Sequence, residues 1–383
     1  MTDAGSQVVG KMPKVSAIDG LTNMFHVESK IDLMPPVDWR AYLTARPGEK
    51  KSFENIFLTF RGRDAINCAV KHADLTSDQV VLLPAYLCDA VMGAFNRRCQ
   101  FRFYDINEDF SIDTESISNI ISDGRIDVLY IIHYFGILHT NLPQLSQICK
   151  DNGILLWEDH AHSALSAFSY EYADAMFFSF RKVLPIPDGG GVWLRGASNG
   201  KAYSDKIFFP NVMSMLILLK RSFWGLSSRL RESAHNMAKK NSDAMKKGDL
   251  DLSVKPISKF SERIIFSADI KKIYTIRRNL YEKWGDMIMN SKFKAVFDDL
   301  DQATCPLGFP IWVKNPIELQ HKMEQHNIFL KIHWPLAPEV AKANTTAKRI
   351  SQTIITLPIY PGLKEKDLHR VFIYLTKYGK KLS

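Results

Sequence analysis

Three short stretches of this chain set residue types that can do chemistry directly after apolar runs that would hold them in place. WEDHAHS, residues 157–163, puts a carboxylate pair and two histidines after the apolar ILLW. Asp159, His160 and His162 could there be metal ligands, an acid and base set, or partners of a heterocyclic cofactor. The competing reading makes Asp159 a helix N-cap with the histidines satisfied locally. FFSFRKVLPIPDGGGVWL, residues 177–194, stands Lys182 between a strand and a loop that ends in three glycines. An amine held among apolar neighbours falls from its ordinary pKa of about 10.4 and becomes a nucleophile able to form a Schiff base. A surface lysine before a loop is the ordinary alternative. The triplet Gly189–Gly191 points to close backbone approach between this loop and something packed beneath it. FRGRDAI, residues 60–66, places Gly62 between a strand and a helix, where free amides can take a phosphate and Arg63 adds charge. Simple capping of a strand-to-helix turn competes with that. The isolated histidines His133, His139 and His333 read as structural.

In an open parallel sheet, ligands bind beyond the carboxyl ends of the strands, so these sites require such a sheet. The pattern supplies one. IFLTF (56–60), VVLLP (80–84), FRFYDI (101–106), VLYIIHYF (128–135), ILLWED (154–159) and AMFFSF (175–180) read as strands, several apolar almost throughout, as expected of strands buried on both faces. Helix-length stretches at 63–73, 86–97, 114–122 and 141–152 separate them, the alternation of an α/β domain. Residues 256–290 read as one long helix. Beyond it, FPIWV, ELQHKMEQH, IFLKIHW, TIITLPI and DLHRVFIYLTKY suggest a small second α+β unit.

The 383 residues, 46% hydrophobic and 24% charged, exclude disordered, collagen-like and disulfide-scaffold classes. Five cysteines without a CxxC pair argue against a structural zinc site and for a reducing compartment. The first residues lack the apolar core of a signal peptide and no run is long enough to span a bilayer, so the expected location is the cytoplasm. Residues 201–250 hold ten basic against four acidic residues, most of the net charge of +9. This basic segment reads first as a solvated helical insertion, with a weak membrane-surface contact as the functional alternative. Nucleic acid is not an expected partner, because no recognition motif accompanies the charge. P-loop, GxGxxG, HExxH and GxSxG strings are missing, which removes the signatures of nucleotide hydrolysis, dinucleotide-dependent hydride transfer, zinc proteolysis and α/β-hydrolase chemistry.

In order and spacing, the three stretches together resemble the DegT-like (DegT/StrS) sugar aminotransferases, a group of fold-type I pyridoxal-phosphate enzymes, from about residue 53 to the C-terminus. FRGRDAI is similar to the family's Gly-Thr-x-Ala phosphate turn, and WEDHAHS to its Glu-Asp-x-Ala-(Gln/His) signature. KVLPIPDGG resembles its lysine motif, with the acidic residue six after Lys182 and glycines following. VVLLPAYLCDAVMGAF, FRFYDINEDFSID, IIHYFG, NIFLKIHWPL and ITLPIYPGLKEKDLHRVFIYL agree with the segments between and after.

The resemblance implies a large domain with a mainly parallel sheet of seven-stranded type and a small C-terminal α+β domain. Its boundaries would be an arm at 1–50, the large domain at 51–250 with a basic insertion at 201–250, and a connecting helix with the small domain at 251–383. By the same likeness Lys182 would carry pyridoxal phosphate as a Schiff base and move the proton, Asp159 would pair with the pyridine nitrogen, and His162 would lie near the phenolic oxygen. Gly62, Arg63, Asp64 and Ser179 would hold the phosphate; the ring-stacking position falls on Cys88 in a gapless match, with Tyr86 as the alternative; His333 would meet substrate. No metal is implied. The implied activity is transfer of an amino group from an amino acid, glutamate first, to a nucleotide-linked keto-sugar in polysaccharide or natural-product synthesis, by a homodimer. Dehydration or condensation on the same cofactor, or a silent sugar- or partner-binding member, are the alternatives, and the retained Lys182 speaks against the lysine-less sugar dehydratases. The chain departs from the pattern in three ways. Ser179 precedes the lysine by three residues instead of five, Val183 replaces the usual Asn, and PISKFSERI (256–264) stands where an Asn-x-Arg segment is expected.

Overall fold

The computed structural model describes residues 31–33, 53, 55–95, 98–197, 210–223, 254–336, 340 and 345–382. Its strands are β1 (Ile31–Asp32), β2 (Phe57–Thr59), β3 (Val80–Pro84), β4 (Gln100–Tyr104), β5 (Val128–Ile132), β6 (Leu155–His160), β7 (Ala175–Ser179), β8 (Gly190–Leu194), β9 (Lys294–Ala295), β10 (Phe309–Trp312), β11 (Ile328–Phe329) and β12 (Ile354–Leu357). Seven of them form one sheet in the order β2-β8-β7-β6-β5-β3-β4, parallel except that β8 runs antiparallel to both of its neighbours. All five residues of β5 and all five of β7 are buried, which is why these segments read as unbroken apolar runs.

The helices around this sheet are α1 (Gly62–His72), α2 (Asp89–Phe95), α3 (Thr114–Ser122) and α4 (Leu142–Asp151). β8 was expected as loop. Its glycines belong to the sheet because a Cβ on Gly190 would lie 2.3 Å from the Arg61 carbonyl carbon and 2.5 Å from Thr59 Oγ1, so only glycine lets β8 close on β2. The run expected as strand through Phe135 stops at Ile132 and turns through a 3-10 segment at Tyr134–Gly136.

Helix α5 (Pro210–Phe223) lies in the basic insertion; the rest of 201–250, and of the proposed arm 1–50 apart from residues 31–33, is outside the described residues. The expected long helix is two, α6 (Lys259–Ser267) and α7 (Ile270–Met289). Ala268 is extended at φ −69°, ψ 131°, and Asp269 caps α7 by accepting from the Lys272 amide at 3.0 Å. Helices α8 (Pro316–Glu324), α9 (Thr345–Thr353) and α10 (Glu365–Tyr378) complete the fold. A second, antiparallel sheet, β12-β10-β9, shares a core with α7 and α10 built on Trp284, Phe309, Ile311, Leu357 and Val371. β1 pairs in parallel with β11, so residues before the large sheet join the C-terminal unit.

Register decides which side chains can meet. Tyr130 pairs with Trp157, Ile132 with Asp159, and Asp159 with Phe177, so Tyr130, Trp157, Asp159, Phe177 and Ser179 share one face. Glu158, His160, Met176 and Phe178 share the other.

Candidate active site

Asp159 stands one residue before the end of β6 and is buried. Its Oδ2 accepts from the Tyr130 hydroxyl at 2.8 Å and its Oδ1 from the Ala161 amide at 2.7 Å. Burial pushes the carboxyl above its ordinary value, while the Lys182 ammonium, the Ala161 amide and the Tyr130 hydroxyl pull it back. Asp159 lies within the strand, which overturns the helix N-cap alternative.

Lys182 ends a 3-10 turn, Phe180–Lys182, directly after β7. The side chain is half-buried, and its Nζ sits 6.0 Å from the centre of the Trp334 ring. Burial lowers its pKa to about 8; Asp159 and Cys88 oppose the drop, and Arg181 and Lys331 add to it. A substantial fraction of the amine is therefore neutral near physiological pH.

His162 is buried in the turn after β6. Its Nδ1 accepts from the Phe135 amide at 3.3 Å, which leaves the proton on Nε2, and that Nε2 has no protein partner. Burial, with Lys182 and His333 nearby, holds its pKa well below the usual range, so the ring is a neutral donor aimed at nothing in the protein. Trp334 stacks on it at 5.1 Å between centroids and 28° between planes.

Gly62 opens α1, and its N-cap Arg61 makes no side-chain cap, which leaves the Gly62 and Arg63 amides for an anion, while the Asp64 amide donates to the Arg61 carbonyl at 3.0 Å. A Cβ on Gly62 would lie 3.9 Å from Ser179 Cβ, so the turn and the end of β7 form one cup despite the short spacing to Lys182. Arg63 and Asp64 are the next two residues of the turn; burial pushes the Asp64 carboxyl up to about 6, against the pull of Lys255, Arg61 and Arg63. Of the two ring-stacking candidates, Cys88 is in electrostatic contact with Lys182, whereas Tyr86 is fully buried with its ring 5.3 Å from Trp334. His333 binds Thr356 Oγ1 through Nδ1 at 3.1 Å and meets His162 edge-on at 5.1 Å.

The WEDHAHS motif is divided between the two faces of the sheet. Glu158 and His160 point away from Asp159, and Glu158 Oε2 lies 3.0 Å from His133 Nε2 and 3.1 Å from His160 Nε2. These three buried groups are close enough to share a metal ion. His133 Nδ1, however, accepts from the His139 amide at 3.2 Å, which fixes its proton on Nε2; a metal there would need Nε2 bare and Nδ1 donating. The cluster is thus a hydrogen-bonded triad. Burial alone would raise the Glu158 carboxyl, but the bonds from His133 and His160 outweigh it and hold it at about 2.

Tyr130, Trp334 and Asp188 escaped the reading of the sequence as site residues. Asp188, six residues after Lys182, is fully buried and accepts from Ser214 Oγ, the Ser258 amide, Ser258 Oγ and Ser261 Oγ at 2.6–2.8 Å. It ties the lysine loop to α5 and to the start of α6, where the altered segment 256–264 lies.

Residues 58–199 match the model of the DegT/DnrJ/EryC1/StrS aminotransferase family. The match covers the sheet from β2 to β8 and makes this part of the chain similar to that family. The matched segment runs from β2 to just past β8 and contains the Gly62 turn, Asp159, His162 and Lys182. Among solved structures it is similar to a Streptococcus pneumoniae protein described as a sugar aminotransferase, in its PLP form, with TM-score 0.67, 13% identity and coverage of 91% of this chain and 98% of that one. The aminotransferase TlmJ from Streptoalloteichus hindustanus gives 0.64 at 14% identity, covering 91% and 98%. DesV of S. venezuelae, solved with a ketimine intermediate, gives 0.59 at 15%, covering 92% and 100%. At these identities the likeness is one of fold, and it extends through the C-terminal unit beyond the matched segment. None of the curated proteins compared matches the chain.

Proposed function

We propose that the protein is an aminotransferase that holds pyridoxal phosphate on Lys182 and moves an amino group from an amino acid, glutamate first, to a keto-sugar carried on a nucleotide. The observation that carries the reading is the convergence of a softened amine, a fixed carboxylate and an unpartnered neutral imidazole donor beside a phosphate-sized helix turn. Each group fits one part of the cofactor: Asp159 the pyridine nitrogen, His162 Nε2 the phenolic oxygen, and the Gly62 and Arg63 amides with Ser179 the phosphate. The aminotransferase neighbours support the sugar reading, one of them by a description naming a sugar aminotransferase. Surface polysaccharide or natural-product synthesis is the corresponding setting, and a homodimer the corresponding assembly.

Pyridoxal phosphate, when bound, supplies an aldehyde that condenses with amines and a ring that takes up the electrons of a carbon losing its proton. The protein does the rest. Asp159, with a donor on each oxygen, presents a fixed negative charge to a protonated ring nitrogen. His162 donates where negative charge would rest on oxygen. Lys182 Nζ, neutral in part near pH 7, would be the base that accepts a proton from the amino donor's α-carbon and gives it back in the transfer. The Trp334 indole forms one wall and limits water around Nζ.

The test is the absorption spectrum of purified protein with pyridoxal phosphate, for wild type and Lys182→Ala, before and after borohydride. The expected result is covalent trapping only where Lys182 is present, followed by release of 2-oxoglutarate when glutamate is added. Trapping without that half-reaction would point instead to dehydration or condensation; no cofactor binding at all would remove the enzyme reading.

A further inference from the structure

The Tyr130 hydroxyl reaches Asp159 from a neighbouring strand. Tyr130 lies in β5 opposite Trp157, and Asp159 is the next residue of β6 on that face, so the two are diagonal neighbours. The tyrosine ring is stacked on Phe177 at 5.6 Å and 14° and meets Phe95 edge-on at 6.2 Å. Its own carbonyl also accepts from the Tyr104 hydroxyl at 3.1 Å, a bond to the main chain and not to the ring. The hydroxyl is thus delivered to one point by packing on both flanks.

A carboxylate with a donor on each oxygen cannot turn about its last bond without losing one of them. In Asp159 those donors are the Ala161 amide on Oδ1 and Tyr130 on Oδ2, at 2.7 and 2.8 Å. Lys182 faces the same group from the turn after β7 and Tyr134 from the segment after β5, while His133 acts on it electrostatically from the opposite side of the sheet; Cys88 stands beside Lys182 and Tyr130, and His162 beside Lys182. Among these neighbours Tyr130 is the side chain within hydrogen-bonding distance of Asp159. We infer that Tyr130 is a positioning residue, which holds the Asp159 carboxylate in one orientation through Oδ2 so that a cofactor ring nitrogen meets a fixed, charged acceptor. The inference rests on the cofactor reading above and adds the element that reading left out.

The experiment compares wild type, Tyr130→Phe and Tyr104→Phe. Cofactor affinity is read by equilibrium titration, and the protonation of the ring nitrogen by NMR of the holoenzyme carrying nitrogen-15 pyridoxal phosphate across pH. Tyr130→Phe should weaken binding by about ten-fold or more, the scale of a lost hydrogen bond to a charged group. It should also make the ring nitrogen give up its proton at a lower pH, because a carboxylate free to turn about its last bond no longer keeps its charge against that proton. Tyr104→Phe removes a hydroxyl from the same cluster without touching Asp159 and should change neither reading. A purely structural role for Tyr130 would leave the nitrogen titration where it was. An unshifted titration and unchanged affinity in folded Tyr130→Phe would overturn the inference. Should that variant fail to fold, a fluorotyrosine at position 130 keeps the shape and strengthens the donor, which draws charge from the carboxylate; the titration must then move to lower pH, and no movement overturns the inference. Failure of wild type itself to bind the cofactor is a separate outcome, which removes the cofactor reading and this inference with it.

Discussion

At the scale of single residues, Asp159 and Glu158 are adjacent in sequence and serve different halves of the molecule. Strand alternation sends one to the candidate site and the other to the triad with His133 and His160. Their ordinary chemistry is the same, so only register separates them. The sequence carried Lys182, Asp159, His162 and the Gly62 turn, because each stands at the end of an apolar run whose direction is legible locally. It did not carry Tyr130 or Trp334, since a tyrosine inside VLYIIHYF looks like core until β5 and β6 are aligned, and Trp334 meets His162 across nearly half of the chain. The pKa of Lys182 supports a direct prediction. Only the neutral amine can capture an aldehyde, so the rate at which the protein without cofactor takes up pyridoxal phosphate should rise through a midpoint of about 8, where an unperturbed lysine would do so near 10.4. Asp159 is the largest influence raising that value, so Asp159→Asn should move the midpoint down; stopped-flow absorbance against pH measures both.

At the scale of elements, the strands that were easiest to read are those buried on both faces, and the hardest was β8, whose glycines look like loop. They are there because β8 and the Arg61–Gly62 turn press together, a tertiary fact with no local signature. The same contact yields a prediction. Gly190→Ala would drive a methyl group into the Arg61 backbone and should destabilise the fold by about 2–3 kcal/mol, the scale of overpacking, as a lowered melting temperature. It should also weaken pyridoxal phosphate binding, because the displaced backbone is that of the phosphate turn. The break between α6 and α7 was likewise hidden: apolar spacing continues across Ser267–Asp269, and Asp269 shows itself as a cap only when its bond to Lys272 is seen.

At the scale of the whole molecule, the two units are joined by buried polar contacts as well as by apolar packing. Arg277 of α7 is fully buried and donates from Nη1 to the Pro306 and Leu307 carbonyls, each at 3.0 Å, and from Nη2 to the Val183 carbonyl at 3.4 Å. It thereby links the connecting helix to the residue beside Lys182. Arg277→Met should strand three buried carbonyls and lower stability by about 3 kcal/mol, measured by denaturant unfolding, with the cofactor site loosened as well. The pairing of β1 with β11 joins residues roughly 300 positions apart in the chain. A parallel contact over that span cannot form while the protein is being made until β11 has left the ribosome, and it closes a loop of most of the chain. The ladder between Ile31 and Ile328 should therefore be among the last to assemble during folding, and among the first protected amides to exchange when the native state opens locally.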